Sequence, residues 1–351
     1  MNARDRVLIA LDGDEPDRIP LALGFYHVDI PSLVPPGRYR DDLVDVEFIE
    51  FPCSSADEEL EQVIETRAPA ARLGSPSQVR TYALWDYHPE NLGQGNPLAH
   101  ARSLEDLENF PLPDLNGPCG VEQLTLQVEA LHERGLAAGG NPPHLGGELF
   151  ETAWRLRGFK NFLVDLVRRP EWADLLLDRL TDRARRHTAA LAKAGVDVLA
   201  LDDDIGMPKT MIISPATWRR FFKPRLADII RAARAILPSV RVLYHSDGYF
   251  EPVIGDLVEI GVNAINPVQP DHMDALRIRR AFGPKLALWG TVGRQTTFSF
   301  ATAQEIRKEV RQRIEALGRA GLVLCPAYDI DEPDIPWQNV AAFVQAVRDY
   351  G

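Results

Sequence analysis

Apolar residues in the second half of the chain gather into short runs separated by longer stretches of helical periodicity. The runs at 196–201, 240–245, 262–267, 286–290 and 322–325 are four to six residues long and largely apolar. Runs of this kind read as buried parallel strands, because helices cover both faces of such a sheet. Fainter strand signals are placed at 19–25 and 136–140. The stretches between carry helix punctuation. Ser214-Pro215 puts a cap residue before proline, Thr302 with Glu305 forms a capping box, and a last helix starts near Pro336. From Pro170 to Gly195 the sequence reads as one helix, with Leu176, Leu180, Ala184 and Leu191 along a stripe and His187 packed near it. A short helix is expected near 103–109, within a region rich in Pro, Asp and Glu (28–130) that reads as an N-terminal elaboration of a single domain spanning 1–351.

Strand and helix alternating over this length leave a closed (β/α)8 barrel or an open doubly wound sheet. The open sheet usually carries a glycine-rich turn after its first strand, and neither GxGxxG nor a P-loop occurs here. A (β/α)8 TIM barrel, of class α/β, is therefore expected. The 351 residues, 45% hydrophobic and 26% charged, suit one large globular unit. No apolar run approaches the ~20 residues of a membrane span. The first residues, MNARDRVLIALDGDEPDR, are acidic where a signal peptide would be apolar, so a cytoplasmic protein is expected. With 39 Lys and Arg against 51 Asp and Glu, a net charge of −12 argues against nucleic-acid partners. Cys53, Cys119 and Cys325 form no CxxC pair and no disulfide framework, which fits a reducing compartment.

Catalytic groups of a barrel sit beyond the C-terminal ends of its strands. Those positions hold Tyr26, His27 and Asp29; Asn141, His144 and then Glu148; Asp202, Asp203 and Asp204; His245 and Asp247; Asn266 and Gln269; Gly290 and Thr291; and Cys325, Tyr328 and Asp329. His245 and Asp247, two apart at a strand end, point the same way and suit a metal or an oriented acid/base pair, unless Asp247 only caps the next helix. In the acidic run, two carboxylates share a face and the third opposes them. Such crowding raises at least one pKa or collects a cation. Asp203, Asp204, His245, Asp247 and Tyr328 are the catalytic candidates; His27, His144, Asn266, Gln269, Gly290 and Thr291 are candidate substrate contacts. Gly290 and Thr291 either present backbone N–H groups to an anion or simply make a tight turn. The Pro-Pro-His-Leu-Gly-Gly stretch argues against His144 and Glu148 sharing one helix.

The stretches DDIGMPKTMIISPATWRRFFKPR, YHSDGYFEPVIGDLVEIGVNAINPVQPDHMD, LALWGTVGRQTT and DEPDIPWQN resemble the uroporphyrinogen decarboxylase superfamily, and LFETAWRLRGFKNFLVDLVRRPEW resembles its decarboxylase-like branch. The resemblance covers roughly 135–351, with an echo in PDRIP. It implies a barrel with its site in the mouth and two chemistries. The decarboxylase uses no cofactor and takes substrate carboxylates with arginines after the first strand; here that stretch reads LALGFYHVDI, without arginine. Zinc-dependent relatives transfer methyl groups between small molecules, thiols and corrinoid proteins. Thiol-activating members use His-x-Cys and a later Cys, where this chain has His245, Asp247 and Tyr328. The resemblance thus implies a demethylase passing a methyl group from a methoxylated small molecule to a corrinoid protein, with His245 and Asp247 binding a metal such as zinc or orienting the substrate, Asp203 or Asp204 supplying the acid or a further ligand, and a homodimeric assembly. The alternatives are a cofactor-free decarboxylase and a non-catalytic binding barrel.

Overall fold

A computed structural model describes residues 1–27, 43–51, 96–110, 112, 120–144, 146–293, 298, 300–327 and 335–351. Seven parallel strands lie side by side in chain order: β1 (Val46–Phe48), β2 (Ala137–Gly140), β3 (Val198–Asp202), β4 (Arg241–His245), β5 (Ala264–Asn266), β6 (Ala287–Val292) and β7 (Leu322–Pro326). The segment around Leu21 fills the eighth position. Leu21 bridges Leu324 in parallel, Ala22 N–H donates to Leu324 O at 3.0 Å, and Asp45 N–H donates to Leu21 O at 2.8 Å. The sheet thus curls into a (β/α)8-type barrel.

A strand expected over 19–25 is therefore present only as a single bridge. Pro20 has no N–H, and the N–H of Leu21 donates to the Asp45 side chain at 2.8 Å instead of to a neighbouring strand. β1, three residues long, has no counterpart in the expected strands. Of the elaboration expected over 28–130, residues 28–42, 52–95, 111 and 113–119 lie outside the described residues.

Helices α1 (Ala3–Leu11), α2 (Leu104–Glu108) and α3 (Gly120–Glu133) come before β2. Next are α4 (Phe150–Arg157), α5 (Phe159–Arg168), α6 (Pro170–Ala194), α7 (Pro215–Phe221) and α8 (Lys223–Ile236), and then α9 (Ile254–Glu259), α10 (Ala275–Phe282), α11 (Ala303–Leu317) and α12 (Trp337–Tyr350). Their ends follow the sequence punctuation. Pro170 opens α6 and Gly195 closes it at φ 86°, Ser214 accepts the Thr217 N–H at 3.0 Å, and Thr302 and Glu305 complete a capping box. None of these helices is long and apolar enough to cross a membrane.

Strand side chains alternate between two cores. Val198, Ala200, Leu243, Ala264, Ala287, Trp289, Val323 and Cys325 fill the barrel lumen, and Val7, Ala10 and Leu11 of α1 plug its N-terminal end. Leu199, Leu201, Tyr244, Ile265, Leu288 and Leu324 face the helical layer, where His187 is buried near Phe51.

The plugged end is held by charge. Asp45, fully buried, accepts from Arg6 at 2.7 Å, from Arg18 at 2.7 and 2.8 Å and from the Leu21 N–H. Removing it leaves buried Arg6 without this partner, so Asp45→Ala is expected to lower unfolding free energy by about 3–5 kcal/mol in urea denaturation. A loss below about 1 kcal/mol would show that the pair is replaceable. The side-chain hydrogen bond from Arg6 also holds Asp17 down to about 2. A depressed pKa stabilises the fold above the ordinary carboxylate value and is lost as pH falls through the depressed one. Asp17→Asn is thus expected to lower the melting temperature at neutral pH, with the deficit closing between pH about 4 and about 2.

Candidate active site at the barrel mouth

The period-two alternation that fills the lumen also aims the polar residues at its C-terminal rim. Asp202 continues the inward series of Val198 and Ala200, His245 that of Leu243, Asn266 that of Ala264, and Thr291 that of Ala287 and Trp289. Asp202, His245 and Asn266 are direct neighbours across the ladder.

His245 Nδ1 lies 2.5 Å from Asn266 Oδ1, while Asn266 Nδ2 donates to Trp289 O at 3.1 Å. Because the Asn266 amide is oriented by that second bond, Nδ1 of His245 is the donor and Nε2 keeps its lone pair. The Phe25 ring stacks on the imidazole at 3.8 Å between centroids. Burial holds the His245 pKa below the usual imidazole value, partly opposed by Asp204. Around Nε2 stand Asp204 at 3.6 Å, Asp247 at 3.8 Å and Asp202 at 3.9 Å. One ligand atom each from Asp202, Asp204 and His245 lie within 4.8 Å of one another, which suits a divalent cation. The donor chemistry fits as well. The imidazole is neutral and oriented from behind by an amide, and Asp202 Oδ1 is buried without a hydrogen-bond partner.

The remaining carboxylates divide by role. Asp203 faces away from the lumen and accepts the N–H groups of Leu149 at 3.2 Å and Glu151 at 3.1 Å, capping α4. Burial pushes it up to about 7 against the pull of those amides. Asp204 accepts the Asp247 N–H at 2.6 Å. Glu148 clamps the backbone of Asp202, its Oε2 accepting that N–H at 2.5 Å and its own N–H donating to Asp202 O at 2.8 Å. Any side chain at Gly147 would collide with the Asp203 carboxylate, so the clamp closes only over glycine. Burial, with Asp204 next, pushes Asp202 well above the carboxylate range; burial does the same to Glu148 and to Glu151, although Glu151 pairs with Arg155 at 3.0 Å.

Other expected residues fall around this centre. Asp247 Oδ1 accepts from Gln269 Nε2 at 2.9 Å, and Gln269 Oε1 accepts the Gly248 N–H at 2.8 Å, so these two brace the loop after β4. His144 Nε2 lies 2.8 Å from Asn141 Oδ1 and 3.8 Å from Asp202, on non-helical backbone that still brings it to 4.0 Å from Glu148. His27 Nδ1 is 2.8 Å from Phe48 O. The N–H of Thr291 donates to Pro267 O, and Gly290, at φ 121°, leaves no room for a side chain against that same carbonyl. That close approach explains the glycine and takes the Thr291 N–H away from any anion. Thr291 itself sits at φ 70°, a strained position for a β-branched residue, with Oγ1 buried and without a hydrogen-bond partner. Tyr328, Asp29 and Asp329 lie outside the described residues. Asp202 stands at the rim with the acidic run, as expected, but outside the catalytic candidates Asp203 and Asp204, although its phase with Val198 and Ala200 marks it as inward; nothing in the sequence marked Phe25 or the clamp by Glu148.

A model of the uroporphyrinogen decarboxylase family (URO-D) matches residues 101–350. The methylcobamide:CoM methyltransferase MtaA of Methanosarcina barkeri is 28% identical over 192 residues, 54% of this chain and 53% of that protein. The chain thus spans about half the length of that relative. A uroporphyrinogen decarboxylase of Flavobacterium johnsoniae is 26% identical over 274 residues, 75% of this chain and 74% of that protein. Among solved structures, a methyltransferase from Methanosarcina mazei aligns over 100% of this chain and 99% of its own, with a TM-score of 0.66 and 21% identity, a likeness of fold.

The different placement of adjacent carboxylates can be measured. Asp203→Ala would strand buried amides at the start of α4 and is expected to lower stability by about 1–3 kcal/mol. Asp202→Ala removes a carboxylate from a crowded cluster and is expected to leave the melting temperature of metal-free protein unchanged or higher. The reverse order of stabilities would contradict the assignment.

Proposed function

Because the chain belongs to the uroporphyrinogen decarboxylase family, we propose that it is an enzyme that takes a methyl group from a small methoxylated substrate and passes it to a corrinoid protein. One observation carries this reading: Asp202, Asp204 and His245 converge, with Nε2 of a neutral, oriented imidazole among them. A mouth that gathers Asp202, Asp204, Glu148 and Glu151 suits a cation better than it suits a substrate bearing several carboxylates. The MtaA relative, a methylcobamide:CoM methyltransferase, supports the same direction.

Asp202, Asp204 and His245 would hold the ion, zinc by family resemblance. Bound there, it would act as a Lewis acid on the ether oxygen that keeps the bonding electrons as the methyl group departs. The chain's own groups do the rest. Asn266 fixes the His245 tautomer, and Phe25 covers the imidazole face and keeps water from it. The Asp247 N–H orients Asp204, and the Glu148 clamp sets the direction of Asp202. In the transfer the carbon–oxygen bond breaks, the methyl carbon takes an electron pair from the reduced corrinoid, and the released oxygen takes a proton. Asp247, whose Oδ1 stands 3.8 Å from His245 Nε2, would relay that proton from water. Tyr328 is a second candidate.

The test is anaerobic incubation of the protein with a reduced corrinoid protein and a panel of methoxylated donors, following methylation of the corrinoid spectrally. Methylation is expected from at least one donor, falling by about a hundredfold or more in Asp202→Asn and in His245→Ala and on chelation. Release of carbon dioxide from uroporphyrinogen, insensitive to chelators and without corrinoid methylation, would instead assign decarboxylation.

A further inference from the structure

We propose that the barrel mouth holds a second divalent cation beside the first, with the Asp202 carboxylate bridging the two. This rests on the reading of Asp202, Asp204 and His245 as the first cation site. The starting point is that the two oxygens of Asp202 serve different imidazoles. Oδ1 lies 3.9 Å from His245 Nε2, and Oδ2 lies 3.8 Å from His144 Nε2. Two donors of one ion, each about 2.1 Å from it, stand about 3–4 Å apart, so both spacings are those of shared coordination.

The His144 side has its own donors. Asn141 Oδ1 is 2.8 Å from His144 Nε2, and Glu148 Oε1 is 4.0 Å from it. Glu148 is the observation that points to a ligand. Its side chain is 1% exposed, its Oε2 is committed to the Asp202 N–H, and its Oε1 is buried toward His144 without a hydrogen-bond partner. An ion in place of the Nε2 proton of His144 would have an imidazole nitrogen, an amide oxygen and two carboxylate oxygens around it. One nitrogen with three oxygens suits Mn2+, Mg2+ or Zn2+ and disfavours the soft ions that prefer thiolates.

Asp202, Asp204 and Glu148 crowd three carboxylates against two imidazoles, a set that divalent ions can share. Of the cations beside them, Arg155 pairs with Glu151 and Arg183 donates to Pro143 O at 2.8 Å. Sites of this kind hold their ions about 3.5–4 Å apart, a separation that one bridging carboxylate spans.

Titrating metal-free, full-length protein with Mn2+, by calorimetry and electron paramagnetic resonance, tests the proposal. Two ions per chain are expected, with the spectrum of a magnetically coupled pair. Glu148→Gln, which keeps an acceptor for the Asp202 N–H, is expected to leave one uncoupled ion. Asp204→Asn is expected to leave one on the His144 side, and Asp202→Asn to abolish coupling. A single ion in the unaltered protein overturns the second site while leaving the first standing, and no ion overturns both. The stoichiometry of the unaltered protein decides the matter even where a variant fails to fold.

Discussion

Everything at the mouth of this barrel answers to one constraint: carboxylates placed by strand register in a space that water barely reaches. Asp202 is 8% exposed and Asp203 1%, and neither is there by packing preference. A charge in such a place is tolerated only with a counter-charge, a hydrogen-bond donor or a proton. The structure uses the second for Asp203, which takes the amides of α4, and an ion pair for Glu151, which takes Arg155. Asp204 takes the Asp247 N–H, and both it and Asp202 stand toward the lone pair of a neutral histidine. The proposed cation answers that arrangement.

The same residues tie the site to the fold. Asp203 and Glu148 hold the segment 146–151 against the end of β3, so the position of Asp202 is fixed from its backbone on both sides. His245 is fixed from the other direction, by Asn266 and through it by the carbonyl of Trp289 on β6. Four strands, β3 to β6, and one loop therefore set the geometry together. At the opposite end of the barrel, charges are arranged differently. Asp45 and Asp197 are each surrounded by arginines, histidine or amides, as groups placed for stability would be.

Much of the fold was legible because buried parallel strands leave a strong mark. The runs leading into β3, β4, β5, β6 and β7, the caps at Ser214 and Thr302 and the proline and glycine bounding α6 all appear where local chemistry puts them. The closing segment at Leu21 was harder, since Pro20 and the long-range partner Asp45 decide its hydrogen bonds and no local pattern records that. The site was legible in outline, because loops after strands must converge on one rim. Which carboxylate faces inward was also available, from the parity of Val198, Ala200 and Asp202, but only to a reading that trusted the strand register over the crowding of the run. The clamp by Glu148 depends on a folded loop of no regular structure, which sequence periodicity does not describe.

Membership of the uroporphyrinogen decarboxylase family accompanies the barrel; the donor set at its mouth gives the proposal its direction. The most direct measurement is anomalous X-ray diffraction from crystals of untagged protein purified without chelator and supplied with zinc or manganese, recorded at the edge of that metal. The account predicts a peak bounded by Asp202, Asp204 and His245. Crystals that show no peak there would contradict it.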